Sequence, residues 1–372
     1  MPDTLQPTSP PAIDLLSGII GQESAITVLD NALQSGRLSG SYLFVGPNGV
    51  GKATTALRFA AILAGARSEN DAAYKRIVNG AHPDIRSVKP TGKSNTIHVG
   101  QLWPRGENKD HPSDQAILRD LHFEPMAGPK RVFIIDGAEG LRGTNEVAGN
   151  SILKTLEEPP AYAHFILIAE ALAGLMPTVV SRCQVVRFGL SPAPEIENAL
   201  VQKFGVDPAR AHFLAVYCEG RLGYAVMLAR SATLMAARED LLDLAERSLT
   251  GRPIQAFRLA EELRKIAPKL KPDVDPSGDG DDKEAGSRDS ILRALEMLAF
   301  FYRDLAAVCA GGGNTTGIVN IDRRDSLVKL AGKRSVEKVI AQVDQILGIR
   351  IAVERNANAQ LSLEVLFTQL MA

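Results

Sequence analysis

The chain has 372 residues, of which 45% are hydrophobic and 23% charged, and its formal net charge at pH 7 is −1. A domain usually has about 100–200 residues, so this length suggests two or three domains, and the hydrophobic share excludes a wholly disordered chain. The near-zero charge excludes a histone-like basic protein but is compatible with nucleic-acid contact through a local basic face.

Neither a secreted nor a membrane protein is expected. Residues 1–18 contain no basic segment followed by an apolar run, unlike a signal peptide, and no uncharged apolar stretch of about 18 residues occurs. The three cysteines, Cys183, Cys218 and Cys309, are too far apart to indicate a disulfide framework or a zinc site. We therefore expect a cytoplasmic protein without zinc or a membrane partner, and a flexible N-terminal arm over residues 1–17.

The first half of the chain alternates strand-like and helix-like patterns. Apolar runs typical of strands occur at 42–45, 131–135, 164–169 and 184–188, and helical spacing of apolar residues occurs at 22–35, 53–65, 113–122 and 145–157. Strands that alternate with helices predict a parallel α/β sheet. We place this α/β domain at residues 18–190.

After residue 190 the pattern becomes helical. Helical spacing occurs at 193–204, 208–219, 222–231, 233–249, 253–267, 289–310 and 335–371. Residues 271–289 are rich in Asp, Gly, Pro and Ser, which predicts a flexible acidic loop. We predict a small helical domain at 191–250 and a second helical domain at 251–372 that contains this loop.

The strongest single signal lies between the first strand and the next helix. Its residues are Gly46, Pro47, Asn48, Gly49, Val50, Gly51, Lys52 and Ala53. The spacing Gly-x4-Gly-Lys is that of a phosphate-binding loop, in which backbone N–H groups and a helix N-terminus surround a phosphate and the lysine contacts its charge. The alternative is a glycine-rich turn with a chance lysine.

Two groups that ATP hydrolysis uses are missing from this loop site. Ala53 stands where a Ser or Thr hydroxyl would bind Mg²⁺. Asp136, after the strand at 131–135, fits the magnesium-binding aspartate of P-loop ATPases, but Gly137 stands where those enzymes have a glutamate. We therefore predict a nucleotide-binding site at the loop and Asp136 that hydrolyses its ligand very slowly. A strand-end or helix-capping role is the alternative for Asp136.

Four segments, in this order, resemble the bacterial clamp-loader subunits of the AAA+ class: Gly21-Gln22-Glu23, residues 42–47 (YLFVGP), residues 150–160 (NSILKTLEEPP) and Ser181-Arg182-Cys183. His82-Pro83-Asp84 and the terminal segment 354–364 are similar to the same family. The resemblance is strong over about residues 18–190 and looser beyond. It implies an AAA+ P-loop NTPase domain with a parallel sheet, a small helical lid domain at 191–250 and an all-helical collar domain at 251–372.

The resemblance also implies a function in DNA replication, as a subunit of the DNA polymerase III clamp loader. In that family a heteropentameric ring, here with gamma/tau and delta subunits as partners, opens the sliding clamp and places it on primed DNA. Arg182 matches the arginine that reaches a neighbouring subunit's ATP site, where a guanidinium stabilises charge on the transferred phosphoryl group. The alternative is a surface arginine at a helix end.

Three residues depart from the ATP-hydrolysing members of this family: Ala53, Gly137 and Ala169, the last at a position usually filled by Thr or Ser. They predict a ring member that requires no cofactor and holds ATP or ADP without hydrolysis, with any polymerase or nucleotidyltransferase activity belonging to other chains. An ATP-hydrolysing motor subunit or a related DNA-dependent ATPase stays open as an alternative, which Lys52 and Asp136 favour. A phosphoryl transferase is a third class, but no base or substrate pocket is evident for it.

Three further features qualify the resemblance. Residues 65–81 contain no cysteine, so the zinc module of many relatives is absent or metal-free. The segment 89–130 is basic and contains one tryptophan, which is typical either of DNA contact or of a solvated loop. The residues concerned are Lys89, Lys93, Trp103, Arg105, Lys109 and Lys130. The last helical stretch is more hydrophobic than an exposed helix should be, which favours either a buried collar interface or packing within its own domain. Its apolar positions are Ile346, Ile349, Val353, Leu361, Leu363, Leu366, Phe367 and Leu370.

Overall fold

The computed structural model describes residues 14–91, 95–104, 116–142, 146–270, 283–311, 314–315 and 317–371, with side chains omitted at 283–287. Contacts between Cα atoms divide the chain into two compact units, Met1–Ser191 and Pro192–Ala372. This boundary lies next to the predicted end of the α/β domain at residue 190. The further division of the helical half at residue 250 stays a prediction.

The first unit is built around a five-stranded parallel sheet with the strand order β2-β3-β4-β1-β5. The strands are β1 (Ser41–Val45), β2 (Ile85–Val88), β3 (Arg131–Asp136), β4 (Ala163–Ala169) and β5 (Gln184–Arg187). Because helices cover both faces of the sheet, the central strands are apolar on both sides. Tyr42 and Phe44 pack into one core, whereas Leu43 and Val45 pack into the other.

Helices cover the two faces of this sheet. They are α1 (Asp14–Ser17), α2 (Glu23–Ser35), α3 (Lys52–Leu63), α4 (Ala72–Val78), α5 (Val99–Leu102), α6 (Val147–Glu157) and α7 (Pro177–Val180), with short 3₁₀ helices at Ala138–Arg142 and Leu172–Gly174. Leu29 of α2 and Phe59 of α3 pack on one face. Ile152 and Leu156 of α6 pack on the other. The strand β1 is therefore held from both sides at the point where the glycine-rich loop begins.

The second unit is helical throughout its described residues. Its helices are α8 (Ala193–Phe204), α9 (Pro208–Tyr217), α10 (Leu222–Arg230), α11 (Ala232–Thr250), α12 (Ala256–Ile266), α13 (Lys283–Ala310), α14 (Arg324–Ala331), α15 (Val336–Glu354) and α16 (Ala359–Leu370), with 3₁₀ helices at Pro253–Gln255, Ala267–Leu270 and Ile321–Arg323. They share one hydrophobic core, in which Phe301 and Phe367 are fully buried. No helix within the described ranges has both the length and the apolar character needed to cross a bilayer.

The predicted fold class is confirmed: a parallel α/β unit with a phosphate loop precedes a helical half. The sequence pattern misses β2, because an edge strand that contains Arg86 and Ser87 has no continuous apolar run. The helix predicted at 113–122 is wrong over residues 116–122, which form turns, and its first three residues lie outside the described ranges. The reason is that the backbone N–H groups of Ile117 and Leu118, which a helix would use internally, donate instead to the carbonyl oxygens of Gln101 (3.0 Å) and Leu102 (2.9 Å).

The helix predicted at 335–371 is two helices, α15 and α16. The chain turns at Asn356, whose φ of +69° ends α15, and Asn358 then caps α16 by accepting a hydrogen bond from the backbone N–H of Leu361 at 3.0 Å. Asparagine tolerates the positive φ at the first position and caps a helix at the second, and hydrophobic periodicity shows neither property.

Each of two predicted flexible segments includes residues that form a helix. Residues 1–13 of the predicted arm lie outside the described ranges, whereas Asp14–Ser17 form α1, in which Leu15 and Leu16 are fully buried. Residues 271–282 of the predicted acidic loop also lie outside those ranges, and residues 283–289 belong to α13. Burial of the two leucines fixes the first segment to the α/β core.

A buried ion pair fixes the loop that leads into β3. The carboxylate of Asp84 accepts hydrogen bonds from the backbone N–H groups of Met126 (2.7 Å), Ala127 (2.6 Å) and Gly128 (3.2 Å). It also accepts one from Nη2 of Arg131 at 3.0 Å, and both charged side chains are almost fully buried. Burial alone would raise the pKa of Asp84, but these hydrogen bonds outweigh it, so the pKa lies below the usual value.

We expect Asp84→Asn to lower the free energy of unfolding of the chain by about 3 kcal/mol, because it leaves Arg131 as an uncompensated buried charge. Urea unfolding of the full chain measures this difference, with Asp240→Asn, an exposed aspartate of α11, as the matched control. The depressed pKa stabilises the fold above the unfolded-state pKa of aspartate, and this contribution is lost as the pH falls through the folded-state pKa. A pH-independent difference between the two proteins would contradict this origin.

Candidate functional site

The glycine-rich loop connects β1 to α3, as the sequence predicts. A Cβ atom at Gly46 would lie 2.3 Å from the carbonyl oxygen of Phe188, so only glycine fits where the loop leaves the sheet. Gln22 fixes the loop from the other side. Its Nε2 donates to the carbonyl oxygens of Val50 (3.3 Å) and Gly189 (2.8 Å), and its Oε1 accepts from the N–H of Gly189 (3.0 Å).

Lys52 lies inside the loop and is only 6% exposed. Its Nζ donates to the carbonyl oxygens of Gly46 (2.5 Å) and Pro47 (2.8 Å). An ammonium has three N–H donors, so one is left for an anion. Within the described residues no side chain caps the start of α3, which leaves its first N–H groups available to a phosphate as well.

The electrostatics of the loop are mixed. Burial lowers the pKa of Lys52, and the negative charges of Glu170, Glu139 and Asp136 partly reverse that shift. Glu170 accepts a short hydrogen bond from the side chain of Asn48, within the loop itself. Glu139 in turn accepts from the backbone N–H of Glu170. An anionic ligand would therefore meet one buried ammonium and, close to it, three carboxylates.

Strand register brings Asp136 and Ala169 to the edge of the sheet where the loop lies. In the parallel pairs with β4, Val45 is level with Ala169, and Asp136 is level with Ile168. Because the carboxyl ends of parallel strands meet at one edge, this juxtaposition was predictable. The structure adds that Oδ2 of Asp136 lies 3.0 Å from Nζ of Lys89. The participation of Asp136 in nucleotide binding stays a prediction.

Arg182 lies at the opposite, amino edge of the sheet. It precedes β5, which pairs in parallel with β1 so that Val45 is level with Arg187. Since the four residues of β5 separate Arg182 from the loop, at about 3.3 Å per residue the two lie at least about 10 Å apart along the strand direction. Its Nη1 donates to the carbonyl oxygen of Thr178 at 2.7 Å, and its Nη2 forms a short ion pair with Glu157. Arg182 is therefore placed to act outside its own loop site.

Two of the cysteine thiols have strongly raised pKa values. Burial raises the pKa of the thiols of Cys183 and Cys218 to about 12, so both stay protonated near neutral pH. In the described part of the chain, no group of three or more His, Cys, Asp or Glu side chains is arranged to hold a metal ion. That the protein contains no zinc stays a prediction.

The basic segment at 89–130 is only partly described, since Lys93, Arg105 and Lys109 lie outside the described ranges. Of its other lysines, Lys89 pairs with Asp136, and Lys130 donates to the carbonyl oxygen of Ala161 at 2.8 Å. These two ammonium groups already have partners within the fold. Contact of this segment with DNA stays a prediction.

Most apolar positions of the last helical stretch pack inside the second unit. The buried ones are Ile346, Val353, Leu363, Leu366, Phe367 and Leu370, and Ile349 is partly buried against the same core. Leu361 is instead 61% exposed, and Val365, one turn later on α16, is also exposed. On α15, Ile340, Leu347 and Ile351 are exposed at helical spacing. We call these five residues the α15–α16 stripes.

Sequence patterns alone do not reveal the contacts that Gln22, Lys89 and Glu157 make in the fold. Glu157 and Gln22 lie in conspicuous motifs, but no pattern in the sequence tells which distant atoms they bind. Lys89 follows the undetected strand β2. Had that strand been recognised, parallel pairing would have placed Lys89 beside the end of β3.

The chain is similar in sequence to subunits of bacterial DNA polymerase III. The family model described as DNA polymerase III, delta subunit, matches residues 21–191. The DNA polymerase III subunit delta' of Bacillus subtilis is 28% identical over 344 residues, which cover 91% of this chain and 93% of that protein. The DNA polymerase III subunit tau/gamma of Haemophilus influenzae is 32% identical over 169 residues, 44% of this chain and 22% of that longer protein.

Solved structures similar to the chain come from Thermotoga maritima. A DNA polymerase III gamma subunit-related protein covers 94% of this chain and 98% of its own, with 16% identity and a TM-score of 0.38. The RuvB Holliday junction branch migration motor covers 87% of this chain and 88% of its own, with 15% identity and a TM-score of 0.39.

We expect Glu170→Gln to tighten the binding of ATP and ADP about threefold to tenfold, because it removes a partly screened negative charge near the phosphate loop. Calorimetric titration at two salt concentrations measures the effect, which should shrink at the higher one. Glu124→Gln, an exposed residue before the amino end of β3, is the matched control. Unchanged or weaker binding by Glu170→Gln would show that this carboxylate does not face the ligand.

Proposed function

We propose that the chain is a ring subunit of the DNA polymerase III clamp loader and hydrolyses no ATP itself, as its similarity to the DNA polymerase III subunit delta' supports. In this proposal Arg182 reaches the ATP site of a neighbouring subunit and stabilises the charge on the phosphoryl group in transfer. Hydrolysis by the neighbour then supports loading of the sliding clamp on primed DNA.

The observation that carries this proposal is the position of Arg182 at the amino edge of the sheet. Its own phosphate loop lies at the other edge, so any phosphate that Arg182 contacts belongs to another molecule. The Arg182 side chain is 27% exposed, which makes it accessible without unfolding. Glu157 holds it in place in the isolated chain, and a phosphate group of higher charge can compete with that single carboxylate.

The loop site supports the non-hydrolysing part of the proposal. Ala53 offers no hydroxyl to a metal ion, Gly137 offers no base, and Ala169 offers no polar group at the end of β4. Phosphoryl transfer depends on such charges and their positioning, so ATP or ADP held at Lys52 would persist. The motor-subunit alternative requires these groups and is disfavoured for that reason.

The partners of this proposal follow from the family. They are gamma/tau and delta subunits in a heteropentamer, and, through the assembled ring, the sliding clamp and primed DNA. A subunit with this task works in the bacterial cytoplasm. The collar contact of such a ring would use the α15–α16 stripes, because exposed apolar residues at helical spacing on two adjacent helices are typical of a buried interface.

We expect Arg182→Ala to leave the subunit folded and able to join the ring, while the DNA- and clamp-stimulated ATPase of the ring falls. A single arginine finger contributes on the order of 10³–10⁵ in rate in GTPases, but only one of several sites is affected here, so the total loss is partial. Clamp loading should fall further, because it needs the sites to act together. The measurements are steady-state ATPase and clamp loading by the reconstituted ring.

Two control variants sharpen this test. Arg182→Lys keeps the charge but loses the planar fork, so it should not restore the rate. Arg187→Ala removes an exposed arginine from the other end of β5 and should have no effect. A ring with Arg182→Ala that loads clamps at the normal rate, or ATP turnover by the isolated chain that Lys52→Ala abolishes, would refute the proposed role.

The collar contact makes a separate prediction. Leu347→Asp and Leu361→Asp should leave the chain folded, since both side chains are exposed, but should prevent its co-elution with the partner subunits. Burying an unpaired carboxylate in an apolar interface costs several kcal/mol, which is enough to abolish assembly at micromolar concentration. Val78→Asp, at an exposed apolar residue of the first unit, is the control. Normal assembly of both variants would show that the interface does not use the α15–α16 stripes.

A further inference from the structure

The segment Lys89-Pro90 lies directly beside the end of β3. Strand β2 pairs with β3 in parallel and places Val88 level with Ile135. The residues that follow this pair, Lys89 and Asp136, therefore lie next to each other at the same edge of the sheet. Their charged atoms, Nζ and Oδ2, are 3.0 Å apart. The phosphate-loop edge therefore carries a second ammonium besides that of Lys52.

The two residues that usually bind Mg²⁺ in P-loop ATPases are not both available at this edge. P-loop ATPases bind Mg²⁺ through the hydroxyl that follows the loop lysine and through the strand-end aspartate. Here Ala53 has no side-chain oxygen, and Asp136 is bound to the ammonium of Lys89. A divalent cation at Asp136 would have to displace this ammonium or lie beside a like charge, which is unfavourable.

Pro90 occupies the space where a general base would stand. Gly137 has a φ of +85°, and a Cβ atom there would lie 2.8 Å from Cγ and 2.9 Å from Cδ of Pro90. The segment is also fixed through its backbone, since Nε2 of Gln101 donates to the carbonyl oxygen of Lys89 at 3.0 Å. Any side chain at position 137, including a glutamate, would therefore collide with the proline ring.

We propose that Lys89 and Pro90 take the places of the metal ion and the general base, so that the phosphate loop holds its nucleotide without Mg²⁺. The ligand is a metal-free nucleoside di- or triphosphate. The ammonium of Lys89 neutralises Asp136, which would otherwise repel the phosphates, while Lys52 supplies the charge inside the loop. This inference rests on the proposed function in one respect, namely that a nucleotide binds at the loop.

Calorimetric titration of the full chain with ATP and with ADP tests the inference, in EDTA and in excess Mg²⁺. Both nucleotides should bind at least as tightly in EDTA, because Mg²⁺ competes with the loop for the phosphates. Lys89→Met keeps the length of the side chain without its charge and should weaken binding in EDTA about threefold, since the lysine is 67% exposed and its charge is partly screened. Lys130→Met, at the amino end of β3, is the matched control and should bind as the natural chain does.

A double variant reverses the proposed replacement. Ala53→Thr with Lys89→Met restores the hydroxyl and releases Asp136, so its ATP affinity should become higher in Mg²⁺ than in EDTA. Tighter binding of ATP to the natural chain in Mg²⁺, or a Lys89→Met variant whose affinity in EDTA is unchanged, would overturn the inference.

A readout without nucleotide separates this inference from the proposed function. Mn²⁺ should leave the amide NMR signals of Gly137 and Ala138 unbroadened in the natural chain and should broaden them in Lys89→Met, where Asp136 is free. Equal behaviour of the two proteins would overturn the role of Lys89. If neither ATP nor ADP binds in either buffer, nucleotide binding at the loop is refuted, and the Mn²⁺ comparison alone decides the role of Lys89.

Discussion

The parallel pairing of β4 with both β1 and β3 is the constraint on which the first unit depends. It fixes Val45 level with Ala169 and Asp136 level with Ile168, and so gathers three strand ends at one edge of the sheet. Each strand is buried on both faces, so a slip of one residue would move every side chain into the opposite core. The register is therefore strongly fixed, and the chemistry at the edge follows from which residues end each strand. In this chain Gly137 and Ala169, at the ends of β3 and β4, have no side-chain group that could bind a metal ion or activate water.

The same parallel geometry separates the two candidate activities of the unit. Residues that follow strands lie at the carboxyl edge, where the phosphate loop and its carboxylates are. Residues that precede strands lie at the amino edge, where Glu157 holds Arg182. A mutation at one edge can therefore change its chemistry without disturbing the other. In the function proposed above, this separation is the physical reason why one edge can lack hydrolytic groups while an arginine at the other edge serves a neighbour's site.

Both units fix irregular segments with buried arginine–aspartate pairs. Asp84 and Arg131 hold the loop before β3 in the first unit. In the second unit Arg238, itself almost fully buried, binds Asp322 at 2.7 Å and Asn320 at 2.8 Å and stacks on Phe213 with 4.2 Å to the ring centroid. Such pairs add little net stability compared with apolar packing, but removing one partner is costly. They specify one conformation for segments that have no regular backbone hydrogen bonds of their own.

The sequence by itself determined the parallel α/β class, the phosphate loop, the position of Asp136 and the motif that contains Arg182, because each depends on local periodicity or on residues adjacent in the chain. Local signals failed where neighbours outside the segment decide the structure. The edge strand β2 forms because β3 offers it a partner, and residues 116–122 form turns because the N–H groups of Ile117 and Leu118 bind carbonyl oxygens at the end of α5. Leu361 is exposed although its pattern matches that of its buried neighbours. Only the tertiary structure placed Lys89 on Asp136, Pro90 against Gly137 and Glu157 on Arg182. Each of these pairs joins residues from different elements, and strand order, which no local pattern encodes, decides which of them meet.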